Sequence, residues 1–163
     1  MKENFFSPIA ADYARFRPTY PPELFAYLAS IAPGHALAWD CATGSGQAAA
    51  GMAAHFDRVI ATDISAELLA QARPDPHITY RQAEAVASGI ATGTVDLVTV
   101  ANALHWFHGA AFEHEVRRVL RPGGVIAAWS YAYFRIDPAV DALTRRVHDV
   151  IVDPFWIRAE PHH

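Results

Sequence analysis

The chain is poor in cysteine: Cys41 is the single one among 163 residues. A lone thiol excludes an intramolecular disulfide framework and a multi-cysteine zinc site. Charge is sparse too, at 18% of residues, with 13 Lys and Arg against 17 Asp and Glu, for a net charge of −4. That balance argues against a general phosphate-backbone binder, which needs clustered cations to displace counterions. No apolar run approaches the ~20 residues that span a bilayer, and Met1-Lys2-Glu3-Asn4 lacks the apolar stretch of a secretory leader. Internal repeats and low-complexity segments are absent. These absences set the expectation of a soluble, cytoplasmic protein with no nucleic-acid or membrane partner. What is present is an apolar fraction of 52%, enough for one domain with a sizeable core.

Prolines punctuate the first third. Pro21-Pro22-Glu23 suits a first helical turn, and Leu24, Phe25, Leu28 and Ile31 supply a helical stripe that Pro33-Gly34 ends. Short apolar runs then alternate with helical segments. Strands are predicted at 36–41, 58–62, 77–81, 95–101 and 125–131. Helices are predicted at 47–56, 66–73 (with Ser65 as N-cap), 110–120 and 138–152. In the last helix Val140, Leu143, Val147 and Ile151 fall at core-facing spacing. Ile78 and Tyr80 share one face of the third strand. The alternation predicts an α/β fold, a doubly wound, mostly parallel sheet with helices on both faces. Residues 1–34 read as an N-terminal helical cap, 35–135 as the ligand-binding core, and 136–163 as the start of a C-terminal part.

The first strand runs straight into Ala42-Thr43-Gly44-Ser45-Gly46, and a helix follows. Glycines there let a ligand approach the main chain closely. Asp63, 17 residues after Gly46, ends the second strand, where a carboxylate can accept both hydroxyls of a ribose. The pair implies an adenosine-containing ligand. The spacing Gly44-x-Gly46-x-x-Ala49 still permits a dinucleotide. Asp40, four residues before Gly44, tilts the choice toward S-adenosylmethionine, whose methionine end carries an ammonium that Asp40 could face.

With these motifs in order, the chain resembles the class I S-adenosylmethionine-dependent methyltransferases. It is most similar to the small-molecule group that includes the trans-aconitate and quinone methyltransferases. Asp40-Cys41-Ala42-Thr43-Gly44-Ser45-Gly46-Gln47 matches the family's glycine loop, and Val59-Ile60-Ala61-Thr62-Asp63-Ile64-Ser65 its second-strand motif. Gln82-Ala83-Glu84, Val95-Asp96-Leu97-Val98, Ala103-Leu104-His105-Trp106-Phe107 and Leu120-Arg121-Pro122-Gly123-Gly124 match the segments that follow. The resemblance implies roles. Gly44 and Gly46 lie against the methionine moiety, Asp63 holds the ribose, and Ile64 packs on the adenine. Gln82 accepts from the adenine amino group, and the Ala83 N–H meets a ring nitrogen. The backbone at Ala101-Asn102 faces the sulfonium end, and Tyr13, Arg17 and Tyr20 belong to the cap. S-adenosylhomocysteine would be the product.

Two departures stand out. Ala42 replaces the family's first glycine. The family sheet has seven strands ending in an antiparallel hairpin, whereas only five strands are legible here, so the chain is expected to be truncated. His105, in the loop after the fourth strand, is the candidate base or substrate contact; a pocket-wall role beside Trp106 is the alternative. Asp96 sits at the non-catalytic end of its strand and is expected to be structural. His105, His108 and His114 show no metal-ligand spacing, so no metal is expected. Asn102-Ala103-Leu104-His105 is not the Asn/Asp-Pro-Pro-Tyr-like loop of amino-directed DNA methyltransferases, and Cys41 is not at the cytosine-C5 nucleophile position. The expected reaction is therefore methyl transfer to a small-molecule acceptor. The alternatives are a cofactor-binding protein or truncated domain without catalysis and, more weakly, a nicotinamide oxidoreductase.

Overall fold

The computed structural model describes residues 19–107, 109–130 and 136–152. The chain divides into two units, 1–130 and 131–163. In the first, the elements run α1 (Pro22–Ile31), β1 (Ala38–Cys41), α2 (Gln47–Met52), β2 (Val59–Asp63), α3 (Ala66–Leu69), β3 (Ile78–Gln82) and β4 (Val95–Ala101). A 3-10 turn (Leu104–Trp106), α4 (Ala110–Val119) and β5 (Leu120–Trp129) complete it. All strand pairs are parallel, in the order β3-β2-β1-β4-β5. The predicted α/β architecture is the one observed.

The central strands are buried on both faces, as expected of apolar runs covered by helices on each side. Alternation along β1 sends Ala38 to one face and Trp39 and Cys41 to the other. Ala38, Ala61 and Leu97 meet Phe25 and Leu28 of α1 and Ala48 and Met52 of α2. Trp39, Val98 and Val100 meet Phe112, Val116 and Val119 of α4. Burying each large side chain contributes about 1.5–3 kcal/mol. Gly51 lets α1 close on α2: a Cβ there would stand 2.0 Å from the Phe25 ring.

Polar anchors fix the end of the sheet opposite the glycine loop. Asp96, fully buried, accepts from the Ala36 and Leu37 N–H groups at 2.9 and 3.0 Å and pairs with Arg121 at 2.7 Å. This is the structural role expected of it. On α4, Glu115 accepts from the Ser88 N–H and hydroxyl and from Arg118. The Arg118 bond, with those from Ser88, holds its carboxyl down at about 2 against an ordinary 4.5. A carboxyl depressed in the folded state stabilises the fold above its unfolded value and loses that contribution as pH falls from 4.5 toward 2. Glu115→Gln should therefore cost about 2 kcal/mol at pH 7. In urea titrations the gap from the parent should narrow as pH drops below 4.5.

Several boundaries differ from those predicted. The second helix stops at Met52 rather than residue 56, because the His55 and Phe56 N–H groups both turn back to the Met52 carbonyl. The third spans only Ala66–Leu69, with Ser65 capping it through the Leu68 N–H. Tight i−3 bonds from Gln71 and Ala72 close it four residues early. The fifth strand begins at Leu120, not residue 125. Leu120 pairs with Val95, and the Arg121–Gly124 turn is absorbed as an irregularity before Val125 pairs with Leu97. Ile31 is not buried. In the second unit, a helix over Pro138–Arg146 is capped by Asp137 and continues as a wider π-helix over Val147–Val152. Val140, Leu143, Val147 and Ile151, predicted to face a core, are exposed. Periodicity records an apolar stripe and is silent about what covers it. No described helix is long and apolar enough to cross a membrane.

Candidate functional site

The site lies at the carboxyl ends of the parallel strands, where open α/β sheets bind ligands. The β1–α2 loop takes an unusual path: Ala42, Gly44 and Gly46 all have positive φ, at 55°, 58° and 88°. Gly46 is the residue before α2, and a Cβ on it would stand 2.6 Å from the Tyr80 hydroxyl. Both backbone and neighbour therefore demand glycine, leaving a bare main-chain cradle. At position 42 alanine bears the left-handed cost of about 1 kcal/mol. Ala42→Gly should raise stability by about 0.5 kcal/mol, a small rise in thermal midpoint by calorimetry.

Asp40 does not open into the crevice. Its carboxylate is 1% exposed and lies beneath the loop. The Thr43 hydroxyl donates to one oxygen, and the Thr99 hydroxyl donates to the other at 2.7 Å. Burial raises its pKa to about 6, against the opposing pull of those hydroxyls. In this structure the Asp40 oxygens brace the loop against β4 rather than opening onto the crevice. Burial likewise raises the Cys41 thiol well above its ordinary value, which leaves it a poor nucleophile.

Asp63 occupies the end of β2. One oxygen accepts from the Gly44 N–H at 2.8 Å and the other from the Ser65 N–H at 2.9 Å. Burial raises its pKa, against the opposing pull of those N–H donors. A carboxylate has about four lone-pair sites, so two such bonds leave capacity for a diol. Ile64, beside it, is 48% exposed, an open apolar surface. The Gln82 amide donates to the Ile64 carbonyl at 2.9 Å, which leaves its own oxygen as the acceptor. The Ala83 N–H was expected to meet a ring nitrogen. It donates instead to the Asp63 carbonyl at 3.0 Å, because the β2–β3 ladder runs one residue further than predicted.

On the other side of the glycine loop, Asn102 leaves β4 with φ 53°, and its N–H donates to the Trp129 carbonyl at 2.8 Å. Its side-chain amide donates to the Tyr20 hydroxyl at 3.1 Å. The Tyr20 ring meets Trp129 edge-on at 5.4 Å. His105 is exposed on the 3-10 turn, its ring 4.9 Å from that of Trp106. Tyr13 and Arg17, the other expected cap residues, and His108 lie outside the described residues.

The structure also joins Asp40 to residues that spacing did not reveal. Tyr80, Ala61, Asp40 and Thr99 form one row across β3, β2, β1 and β4. Tyr80 reaches Gly46, while Thr99 reaches Asp40. The only local signal was the alternation that put Ile78 and Tyr80 on one face. The bare cradle, the Asp63 acceptor and the apolar Ile64 together fit the amino-acid end, ribose and base of an adenosyl amino acid.

Comparison with known proteins agrees. The methyltransferase domain family matches residues 39–128. A methyltransferase of Dictyostelium discoideum is 35% identical over 162 residues, covering 94% of this chain and 60% of that protein. The structure of a type II methyltransferase from Anaeromyxobacter dehalogenans superposes with a TM-score of 0.79 at 39% identity, over 91% of this chain and 67% of the other. A methyltransferase from Methanococcus maripaludis shares the fold, with a TM-score of 0.71 at 18% identity, over 96% and 76% of the two chains. The chain spans about half to three fifths of the length of the first curated relatives it matches. On the glycine loop, the parallel sheet and these matches, the chain belongs to the class I S-adenosylmethionine-dependent methyltransferases.

Proposed function

We propose that the chain binds S-adenosylmethionine and serves methyl transfer to a small-molecule acceptor. The observation that carries this is the pairing of Asp63 with the glycine loop: its carboxylate holds the Gly44 N–H and stands beside the exposed Ile64. Asp63 takes the ribose hydroxyls, Ile64 packs on the base, and the Gln82 oxygen accepts from the exocyclic amine. The main chain at Gly44 and Gly46 lies against the methionine end, and Asp40 holds that loop in place through Thr43 and Thr99. When bound, the cofactor supplies an electrophilic methyl on a sulfonium. The work of the chain is then to align an acceptor in line with that methyl. His105, exposed on the turn after β4, removes a proton from acceptors that must lose one. The net charge of −4 and the absence of the DNA-enzyme loop motifs support a small acceptor over nucleic acid.

Incubation with methyl-tritiated S-adenosylmethionine and a panel of metabolites, peptides and nucleic acids tests this. Label should enter a small molecule, and exclusive labelling of protein or nucleic acid would reject the assignment of acceptor. His105→Ala should lower turnover about a hundredfold while cofactor affinity stays within twofold. Parent-like turnover would make His105 part of the pocket wall. A second reading, cofactor binding without catalysis, is favoured by the exposed His105 ring, and robust turnover would eliminate it.

A further inference from the structure

Among the described residues, one buried side-chain polar atom has no hydrogen-bond partner: the indole nitrogen of Trp129. Nearly all buried donors in folded proteins are paired, so an orphan calls for an explanation. Its surroundings are otherwise well satisfied. The Trp129 carbonyl takes the Asn102 N–H, the Asn102 side-chain amide bonds the Tyr20 hydroxyl, and Tyr20 packs edge-on against the Trp129 ring. The indole is therefore fixed by its neighbours and its one polar group is left over.

Its place in the sheet says what it faces. The strand order is β3-β2-β1-β4-β5, and Trp129 ends β5 in register with Ala101 at the end of β4. Asp63, Ile64 and Gln82 belong to the β2–β3 side of the glycine loop. With its base at Ile64 and Gln82 and its methionine end at Gly44 and Gly46, as proposed above, the ligand runs from β3 past β1 toward β4, so its reactive end lies on the side where Trp129 stands. Next to it begins the loop that carries His105. An indole N–H donates and cannot accept.

We propose that the Trp129 N–H is a specificity-determining donor that holds an oxygen of the methyl acceptor (a carboxylate, carbonyl or hydroxyl) at the ends of β4 and β5. The proposal rests on the reading of this edge as a methyl-transfer site. It gives that site a requirement the cofactor cradle lacks: acceptors carrying such an oxygen bind, and isosteres without it do not.

Nitrogen-15 correlation spectra resolve indole N–H groups individually, and Trp129→Phe assigns the resonance by its loss. Acetate and phenol serve as oxygen probes, each titrated into the protein alone and into protein saturated with S-adenosylhomocysteine. The expected result is a saturable downfield movement of the Trp129 signal with at least one probe. Trp129→Phe should weaken that probe about fivefold at an unchanged thermal midpoint. A Trp129 signal that moves with neither probe overturns the proposal. So does one that moves fully with S-adenosylhomocysteine alone and not with the probes, since the donor then belongs to the cofactor. If S-adenosylhomocysteine fails to bind while a probe moves the signal, the cofactor reading fails and the donor assignment stands.

Discussion

Asp63→Ala should weaken S-adenosylhomocysteine binding by about a hundredfold or more. The carboxylate is proposed to accept two ribose hydroxyls, and each hydrogen bond to a charged group is worth about 1.5–3 kcal/mol. It also holds the Gly44 and Ser65 N–H groups, so its loss loosens the glycine loop and the start of α3 together. Asp63→Asn separates the two effects. An amide oxygen can still accept the Gly44 N–H, but the charge that strengthens the ribose bonds is gone. The asparagine variant, whose amide nitrogen faces the N–H that the second carboxylate oxygen holds, should lower the melting temperature less than alanine does and lose about tenfold in affinity. Equal affinity in all three proteins, measured by calorimetry, would refute the ribose assignment.

Asp96→Ala should be the most destabilising of the substitutions considered, at about 4 kcal/mol. Removing one partner of a buried ion pair typically costs about 3–5 kcal/mol. Here the Ala36 and Leu37 N–H groups lose their acceptor as well. Because Arg121 is 41% exposed, water can take over its side of the pair, so the cost falls chiefly on the two N–H groups and the vacated volume. Asp96→Asn keeps an acceptor and the shape and should cost about half as much. Urea denaturation checks both, and a loss below about 1 kcal/mol for the alanine variant would show that the anchor is dispensable. Asp96 lies away from the glycine loop, so protein that remains folded should retain its cofactor affinity.

These two aspartates show what was legible in the sequence. Asp63 stands out as a candidate because its signal is local: it ends a strand, precedes a capped helix and sits at a fixed spacing from Gly46. The strands over Val59–Asp63 and Val95–Ala101 were found because continuous apolar runs bounded by turn residues have few other uses. The row of Tyr80, Asp40 and Thr99 was not legible, since it exists only once strands from distant segments lie in register. The same holds for the Ala83 N–H, which looked available until one further rung of the β2–β3 ladder claimed it. The start of β5 was misplaced for a related reason. Pro122-Gly123-Gly124 reads as a turn, yet pairing of Leu120 with Val95 draws it into the strand. Asp40 is the most instructive residue. Its position in the motif suggested a ligand contact, and its burial makes it a brace for the glycine loop.

Isothermal titration of this chain with S-adenosylhomocysteine and, separately, with NAD decides which cofactor the glycine loop serves. Saturable one-to-one binding of S-adenosylhomocysteine, weakened by Asp63→Ala, and no heat from NAD are expected. Binding of NAD alone would contradict the cofactor assignment.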